Sequence, residues 1–281
     1  MLLQLAHLCY NKPVKILNGS ELAGYIKERQ THEVRGLRQA HKIFPKLAII
    51  QCIDDPVIET YIRLKKTYGS DILIDVDSYR VSQSEVPGLI DKLNSDNTVH
   101  GIIVQLPIED PSKTDEIVDL VDPSKDVDAL GLKAVFEPAT PMAIMWLLAG
   151  YNIDLKGRKI LLVGRGKLVG APLEKILKSA ELDVEVVDRK ATDLSLHSLE
   201  SDIIITATGS PAIITSSMIK QGAVVVDAGV ASESGKTVGD LAEDVYARDD
   251  LTITPKKGGV GPLTVCALFE NVIRAARMQI Q

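Results

Sequence analysis

Lys159-Ile160-Leu161-Leu162-Val163-Gly164-Arg165-Gly166-Lys167-Leu168-Val169-Gly170 is the stretch on which the fold turns. The run Lys159–Val163 reads as a buried strand that ends on Gly164, and the helical stretch Ala171–Ala180 follows. Downstream, Val184–Val187, Ile203–Thr206, Ala223–Asp227 and Leu251–Thr254 repeat the short β-rich pattern. Upstream, Leu47–Ile53, Ile72–Val76 and Val99–Leu106 do the same. Between those runs Asp54-Asp55-Pro56 opens a helix, and Ser84–Asn94 carries Val86, Leu89, Ile90 and Leu93 at helical spacing. Near-continuous apolar strands alternating with helices predict parallel sheets covered on both faces. Thr140–Leu148 reads as a helix, Gly150 and Gly157 mark the crossing between two sets of units, and Val265–Gln279 reads as a closing helix.

The expected architecture is α/β, with two α/β lobes and a cleft between them. The second lobe is expected to be a Rossmann-like dinucleotide-binding domain with a mainly parallel sheet, and the C-terminal helix to return to the first lobe. The boundaries expected are 1–148 with 265–281 for the first domain and 149–264 for the second.

Composition narrows the function. The 281 residues hold 32 Lys+Arg against 38 Asp+Glu, a net charge of −6, which gives no basic face for a phosphate backbone. Aromatic residues make up 4%, too few for a stacking platform on single strands, so nucleic acid is not an expected partner. Cys9, Cys52 and Cys266 are an odd number and far apart, as in a reducing compartment where thiols serve as small hydrophobes. No apolar run approaches the ~20 residues of a membrane span, and Met1–Leu5 lacks the charged start of a secretory leader. A cytoplasmic protein is expected. His7, His32, His41, His100 and His197 form no metal-spaced pair, so no metal is expected. Neither a G-x-S-x-G elbow nor a Walker loop is present.

Five segments could carry chemistry. Gly164-Arg165-Gly166 with Val169-Gly170 has G-x-G-x-x-x-G spacing between strand and helix; it suits a pyrophosphate at a helix N-terminus, or a bare glycine turn. Asp188 ends the next strand, where a carboxylate holds a ribose 2′-hydroxyl, while Arg165 and Arg189 suit a 2′-phosphate. Tyr61 and Lys65 share one helix face, so a phenol and an amine converge there; equally, the lysine could be solvated, as its neighbour Lys66 is expected to be. Gln105 is a polar residue ending the apolar strand of Gly101–Pro107, placed either for a ligand or to cap its loop. Asp126 and Asp128 lie in a loop as solvated groups or as a helix cap, and Lys257–Thr264 holds three glycines that could fold over a flat ligand or simply turn the chain.

Taken together and in order, these segments resemble the bifunctional methylenetetrahydrofolate dehydrogenase/methenyltetrahydrofolate cyclohydrolase family. The matching pieces are Tyr61-x-x-x-Lys65, Gly101–Pro107, Lys125–Asp128, Pro138–Pro141, Val163-Gly164-Arg165 with Val169–Pro172, Asp202–Gly209 and Gly258–Thr264, which run from about Ile16 to the C-terminus. The sequence departs from the family's habit in several places. Val57-Ile58 stand where a small Ala-Ser pair is usual, Ala129 where Gly is, Gly166 where Ser is, Lys257 where Pro is, and Asp188-Arg189 where His-Ser is.

The resemblance implies oxidation of 5,10-methylenetetrahydrofolate to the methenyl compound and its hydrolysis to 10-formyltetrahydrofolate; the alternatives are a dehydrogenase whose cyclohydrolase activity Ile58 and Ala129 weaken, and a non-catalytic dinucleotide- or folate-binding homologue. It further implies a reduced folate in the cleft, NADP (NAD in some members) on the second lobe, and a homodimer formed through the nucleotide-binding lobes. By carry-over, Lys65 moves the proton in the water step, Gln105 holds and tunes it, Tyr61 orients the substrate and Asp128 binds the polar edge of the pterin. Substrate contacts are further implied for Val104, Leu106, Gly259, Val260, Gly261, Pro262 and Thr264. Cofactor contacts are implied for Gly164, Arg165, Gly166, Val169, Gly170, Pro172, Asp188, Arg189, Thr208 and Gly209. Arg165 and Arg189 favour NADP, Asp188 favours NAD, and the balance is read as NADP.

Overall fold

The computed structural model describes residues 16–188, 191, 193–229, 231–233 and 236–280. The first lobe is built from α1 (Gly19–Ala40), β1 (Lys46–Gln51), α2 (Pro56–Asp71), β2 (Asp75–Arg80), α3 (Val86–Ser95), β3 (Gly101–Val104) and the short α4 (Thr114–Val118). Its sheet is parallel throughout in the order β2-β1-β3. After α5 (Ala139–Gly150) come β4 (Ile160–Val163), α6 (Gly170–Ser179), β5 (Val184–Val187), α7 (Leu194–Glu200), β6 (Ile203–Thr206) and β7 (Val224–Asp227). An antiparallel hairpin of β8 (Ala231–Glu233) and β9 (Lys236–Val238), then β10 (Thr252–Ile253) and α8 (Val260–Arg277), complete the described chain. The second sheet is also parallel, in the order β10-β7-β6-β4-β5.

Alternation along the strands sorts the core. Leu47, Ile49 and Ile103 on the first sheet and Ile160, Leu162, Ile203, Ile205, Val224 and Val226 on the second share one buried cluster with α5 and α8. Residues of the opposite parity form a separate cluster on the far face of each sheet. Helix α5 is apolar on nearly every side because it lies in that shared core, against α8, α1 and α6. Helix α8 packs on α5, α1, α2 and β3, so the C-terminal helix returns to the first lobe as expected.

Two differences from the sequence reading have clear causes. The apolar run Ile72-Leu73-Ile74 is not a strand: Ile72 caps α2, Leu73 has φ +66° and Ile74 donates its N–H to Gly69, so β2 starts at Asp75. As an edge strand it is polar, which hid it from a hydrophobicity reading. Helix α8 begins at Val260, five residues before the expected start, because Gly261 and Pro262 fit a first helical turn whose N–H groups have no intrahelical acceptor. The chain ahead of α1 joins the second sheet: Ile16 bridges Ile253 in parallel and Leu17 donates to the Ile253 carbonyl at 2.8 Å.

Candidate active site

The order β2-β1-β3 places a topological switch point between β1 and β3, where parallel sheets open a crevice beyond their carboxyl ends. The chain leaving β1 enters α2 there. Asp55 caps that helix, its Oδ1 accepting from Val57 N at 2.8 Å and Ile58 N at 3.1 Å, and Pro56 sets its first turn. Ile58 and Ile62 turn into the core, so the unusual Ile58 packs behind the helix, while Tyr61 and Lys65 are half-buried. Lys65 Nζ donates to Gln105 Oε1 at 2.7 Å. Gln105 directly follows β3; its N–H donates to Ile50 O at 2.8 Å and its Nε2 to Leu106 O at 3.1 Å, before a cis Leu106–Pro107 peptide. The side chain of Val104 is buried in the cluster on the sheet's far face, and Leu106 is half-buried beside it. Lys66 is exposed and donates to Ser78 Oγ at 2.6 Å, so the two adjacent lysines are fully distinguished.

Burial pushes the Lys65 amine below the ordinary lysine range, opposed by the charge of Asp128. Burial likewise pushes the Asp128 carboxyl up, opposed by Lys65. The two act on each other through space, without an ion pair between them. The loop that carries Asp128 is fixed from several sides. Lys125 Nζ donates to the carbonyls of Leu93, Asn94 and Asp96 at 2.7–3.0 Å, capping α3. Asp126 is buried and accepts from Gly131 N at 2.8 Å, so this carboxylate orders its own loop. Asn271 on α8 donates to Val127 O at 2.9 Å and Glu137 O at 2.8 Å. Of the Lys125–Asp128 motif, then, Lys125 and Asp126 are structural and Asp128 is the acid brought to Lys65. Ala129 follows at φ +56°, keeping a conformation natural to glycine.

In the second lobe the switch point lies between β4 and β6. Gly164 follows β4 at φ +100°, and a Cβ there would stand 2.6 Å from Ala207 O. A Cβ at Gly170, the first residue of α6, would stand 2.2 Å from Gly164 O. Both glycines are therefore required by close backbone approach, whereas a Cβ at Gly166 would meet nothing within 4 Å. Val169 precedes α6 and Pro172 lies in its first turn. Arg165 Nε pairs with Glu174 Oε2 at 2.7 Å. An open depression of about 460 Å³ lies beside that pair, lined also by Ala171, Lys175, Lys178 and Ser179. Lys167 forms an ion pair with Asp115 of α4, linking the glycine loop to the first lobe. Asp188 follows β5 and is exposed, and Arg189 lies outside the described residues. Thr208 and Gly209 follow β6, Gly209 with φ +62°.

The Gly258–Thr264 segment divides differently from expectation. Gly258, at φ +82°, and Gly259 form the turn, and Gly258 O accepts from Ser20 N at 2.9 Å. Val260, Gly261, Pro262 and Thr264 belong to α8, with Thr264 Oγ1 donating to Val260 O at 3.3 Å and lying 3.5 Å from Thr140 Oγ1. Sequence reasoning missed Asp227 and Asp240. Asp240 is fully buried and accepts from Thr208 N at 2.7 Å and Ser210 N at 2.9 Å, next to Asp227 at the end of β7. Among the described residues, no helix is long and apolar enough to cross a membrane.

Known proteins share this arrangement along the chain. Residues 17–128 match the family model for the tetrahydrofolate dehydrogenase/cyclohydrolase catalytic domain, and residues 138–280 that for its NAD(P)-binding domain. The bifunctional protein FolD of Moorella thermoacetica is 36% identical over 279 residues, covering 94% of this chain and 99% of that protein. The crystal structure of the bifunctional FolD methylenetetrahydrofolate dehydrogenase/cyclohydrolase of Campylobacter jejuni is 36% identical, with a TM-score of 0.88 over 94% of this chain and 99% of that one. The Trypanosoma brucei FolD, complexed with NADP cofactor and inhibitor, is 29% identical, with a TM-score of 0.89 over 95% of this chain and 98% of that one. The chain belongs to the tetrahydrofolate dehydrogenase/cyclohydrolase family.

Proposed function

We propose that this chain oxidises 5,10-methylenetetrahydrofolate to the 5,10-methenyl cation with a nicotinamide dinucleotide, and hydrolyses that cation to 10-formyltetrahydrofolate. The observation that carries the reading is the half-buried Lys65–Gln105 contact in the field of Asp128. In the hydrolytic step water adds to the methenyl carbon, its proton passes to the Lys65 amine, and the carbon–N5 bond breaks as N5 is protonated. One proton is released overall. Burial favours the neutral amine, the form that can take that proton, and Gln105 Oε1 aims the ammonium that results. Tyr61, one turn earlier on the same helix, orients the folate, and Asp128 accepts from the polar edge of the pterin.

The second lobe fits a dinucleotide. Glycines 164 and 170 bring strand end and helix start into backbone contact, and the open space at Gly166 leaves room beside the N-terminus of α6 for a pyrophosphate. Thr208 and Gly209 wall the other side, with Asp188 and Arg165 toward the ribose. Bound there, the dinucleotide supplies the hydride acceptor. Hydride departure needs no protein acid or base, because a nitrogen lone pair drives it, and the residues of this step serve by positioning. NADP is the proposed cofactor: Arg165, Lys175 and Lys178 surround one depression, and Glu174 offsets only part of their charge.

The proposed setting is a homodimer in the cytoplasm. Supporting it, β5 is one of the two edge strands of the second sheet, Leu196 is exposed on neighbouring α7, and Cys52 and Cys266 are free thiols. Methenyl absorbance after adding methylenetetrahydrofolate with NADP or NAD tests the whole reading. A rise followed by decay faster than the spontaneous rate, with the higher initial rate on NADP, is expected. No rise with either dinucleotide would overturn it.

A further inference from the structure

Asp240 has no counterpart among the residues that contact substrate or dinucleotide in the proposed reading, yet it is wholly buried. Its two oxygens take separate partners: Oδ2 accepts from Thr208 N at 2.7 Å and Oδ1 from Ser210 N at 2.9 Å. Those amides belong to the turn just beyond β6, across the crevice from Gly164, where only the lack of a Cβ admits Ala207 O. The carboxylate is itself anchored. Asp227 Oδ1, at the end of β7, accepts from Asp240 N at 3.1 Å and Gly229 N at 2.9 Å, and Thr206 Oγ1 lies 3.2 Å away. Space for both acids is cleared by glycine. A Cβ at Gly229 would stand 2.1 Å from Asp240 Cγ, and one at Gly239 would stand 2.0 Å from Asp227 Oδ2.

This arrangement is costly. Burial and the nearby Asp227 both push the Asp240 carboxyl up. An asparagine would avoid the charge but offers one acceptor oxygen to two N–H groups, leaving one amide facing a second donor. Two acceptors on one rigid side chain are what the turn requires.

We propose that Asp240 is a positioning residue of the dehydrogenase half-reaction, its buried carboxylate presetting the Thr208–Ser210 turn as the wall against which the nicotinamide dinucleotide binds. The inference rests on the reading that the dinucleotide occupies the β4/β6 crevice. It separates the two activities, since hydrolysis of the methenyl compound uses no dinucleotide.

The test compares wild type with Asp240→Asn. A dinucleotide KM raised roughly tenfold is expected from the loss of one charge-assisted hydrogen bond at the turn. Hydrolysis of added methenyltetrahydrofolate and the KM for methylenetetrahydrofolate should stay within about twofold. A folded variant with unchanged dinucleotide KM, or with both activities falling in step, overturns the proposal. Amide hydrogen exchange of the ligand-free wild-type chain keeps it testable if the variant does not fold: Thr208 and Ser210 should exchange as slowly as the strand β6 amides, and fast exchange there overturns a preset turn. Absence of any dinucleotide-dependent oxidation by wild type would remove the underlying reading, whereas a normal wild type with an indifferent Asp240→Asn removes this inference alone.

Discussion

Lys65 and Gln105 lie forty residues apart in sequence and 2.7 Å apart in space, amine to amide oxygen. The contact spans the switch point between β1 and β3: α2 leaves β1, and Gln105 directly follows its neighbour β3. An ammonium buried against a neutral amide, with a carboxylate near but not paired, can release its proton. The same ammonium in a direct ion pair would be held charged.

Replacing the amine while keeping its bulk isolates its chemistry. Lys65→Met should lower the hydrolytic rate by about 10²–10⁴-fold, the usual contribution of general acid–base catalysis. Dehydrogenase turnover should fall less, since hydride departure asks only for positioning. The decay of methenyl absorbance and the appearance of reduced dinucleotide measure the two separately, and an equal loss in both would sink this division of labour.

The ionisation of Lys65 can be read directly by competitive acylation of lysines as a function of pH. Half-labelling of Lys65 should lie below that of exposed lysines, and Asp128→Asn should lower it further by removing the charge that favours the ammonium. The linkage has a definite sign. A lysine depressed in the folded state binds fewer protons there than in the unfolded chain, so stability rises with pH from its folded value up to the ordinary value of 10.5. The stability advantage of Lys65→Met over wild type should therefore shrink as pH is raised through that window, as urea midpoints would record.

Two glycines of one loop should behave oppositely. Gly170→Ala forces a Cβ to 2.2 Å from the Gly164 carbonyl, a backbone clash with no side chain to give way. A loss of about 2–3 kcal/mol is expected from overpacking. Gly166→Ala meets open space and should change stability by less than about 0.5 kcal/mol. Denaturant unfolding of both variants decides it; similar losses would mean the turn is not packed as described.

Ala129 stands at φ +56° immediately after Asp128. The left-handed region costs an alanine about 1–2 kcal/mol, while glycine's extra chain entropy costs about 0.5–1 kcal/mol. Ala129→Gly should therefore stabilise the protein by roughly 0.5–1 kcal/mol. A destabilised variant in a thermal melt would show that the alanine methyl packs better than its backbone is strained.

The sequence alone determined the strand–glycine–helix unit at Ile160–Gly170, the parallel α/β class and the helix that puts Tyr61 and Lys65 on one face. These follow from local periodicity and from glycine's freedom, which neighbouring residues suffice to impose. It could not place the polar edge strand β2, because an edge is defined by what lies beside it. It could not see that Ile16 closes onto Ile253 in the other sheet, nor that α8 starts at Val260. Only tertiary structure separated Lys65 from Lys66 and Asp128 from Asp126, by deciding which side chain a neighbouring element buries. The buried Asp240 belongs to the same class: hydrogen bonds to amides some thirty residues away leave no periodic trace, because they are made by the fold and not by the chain's local preferences.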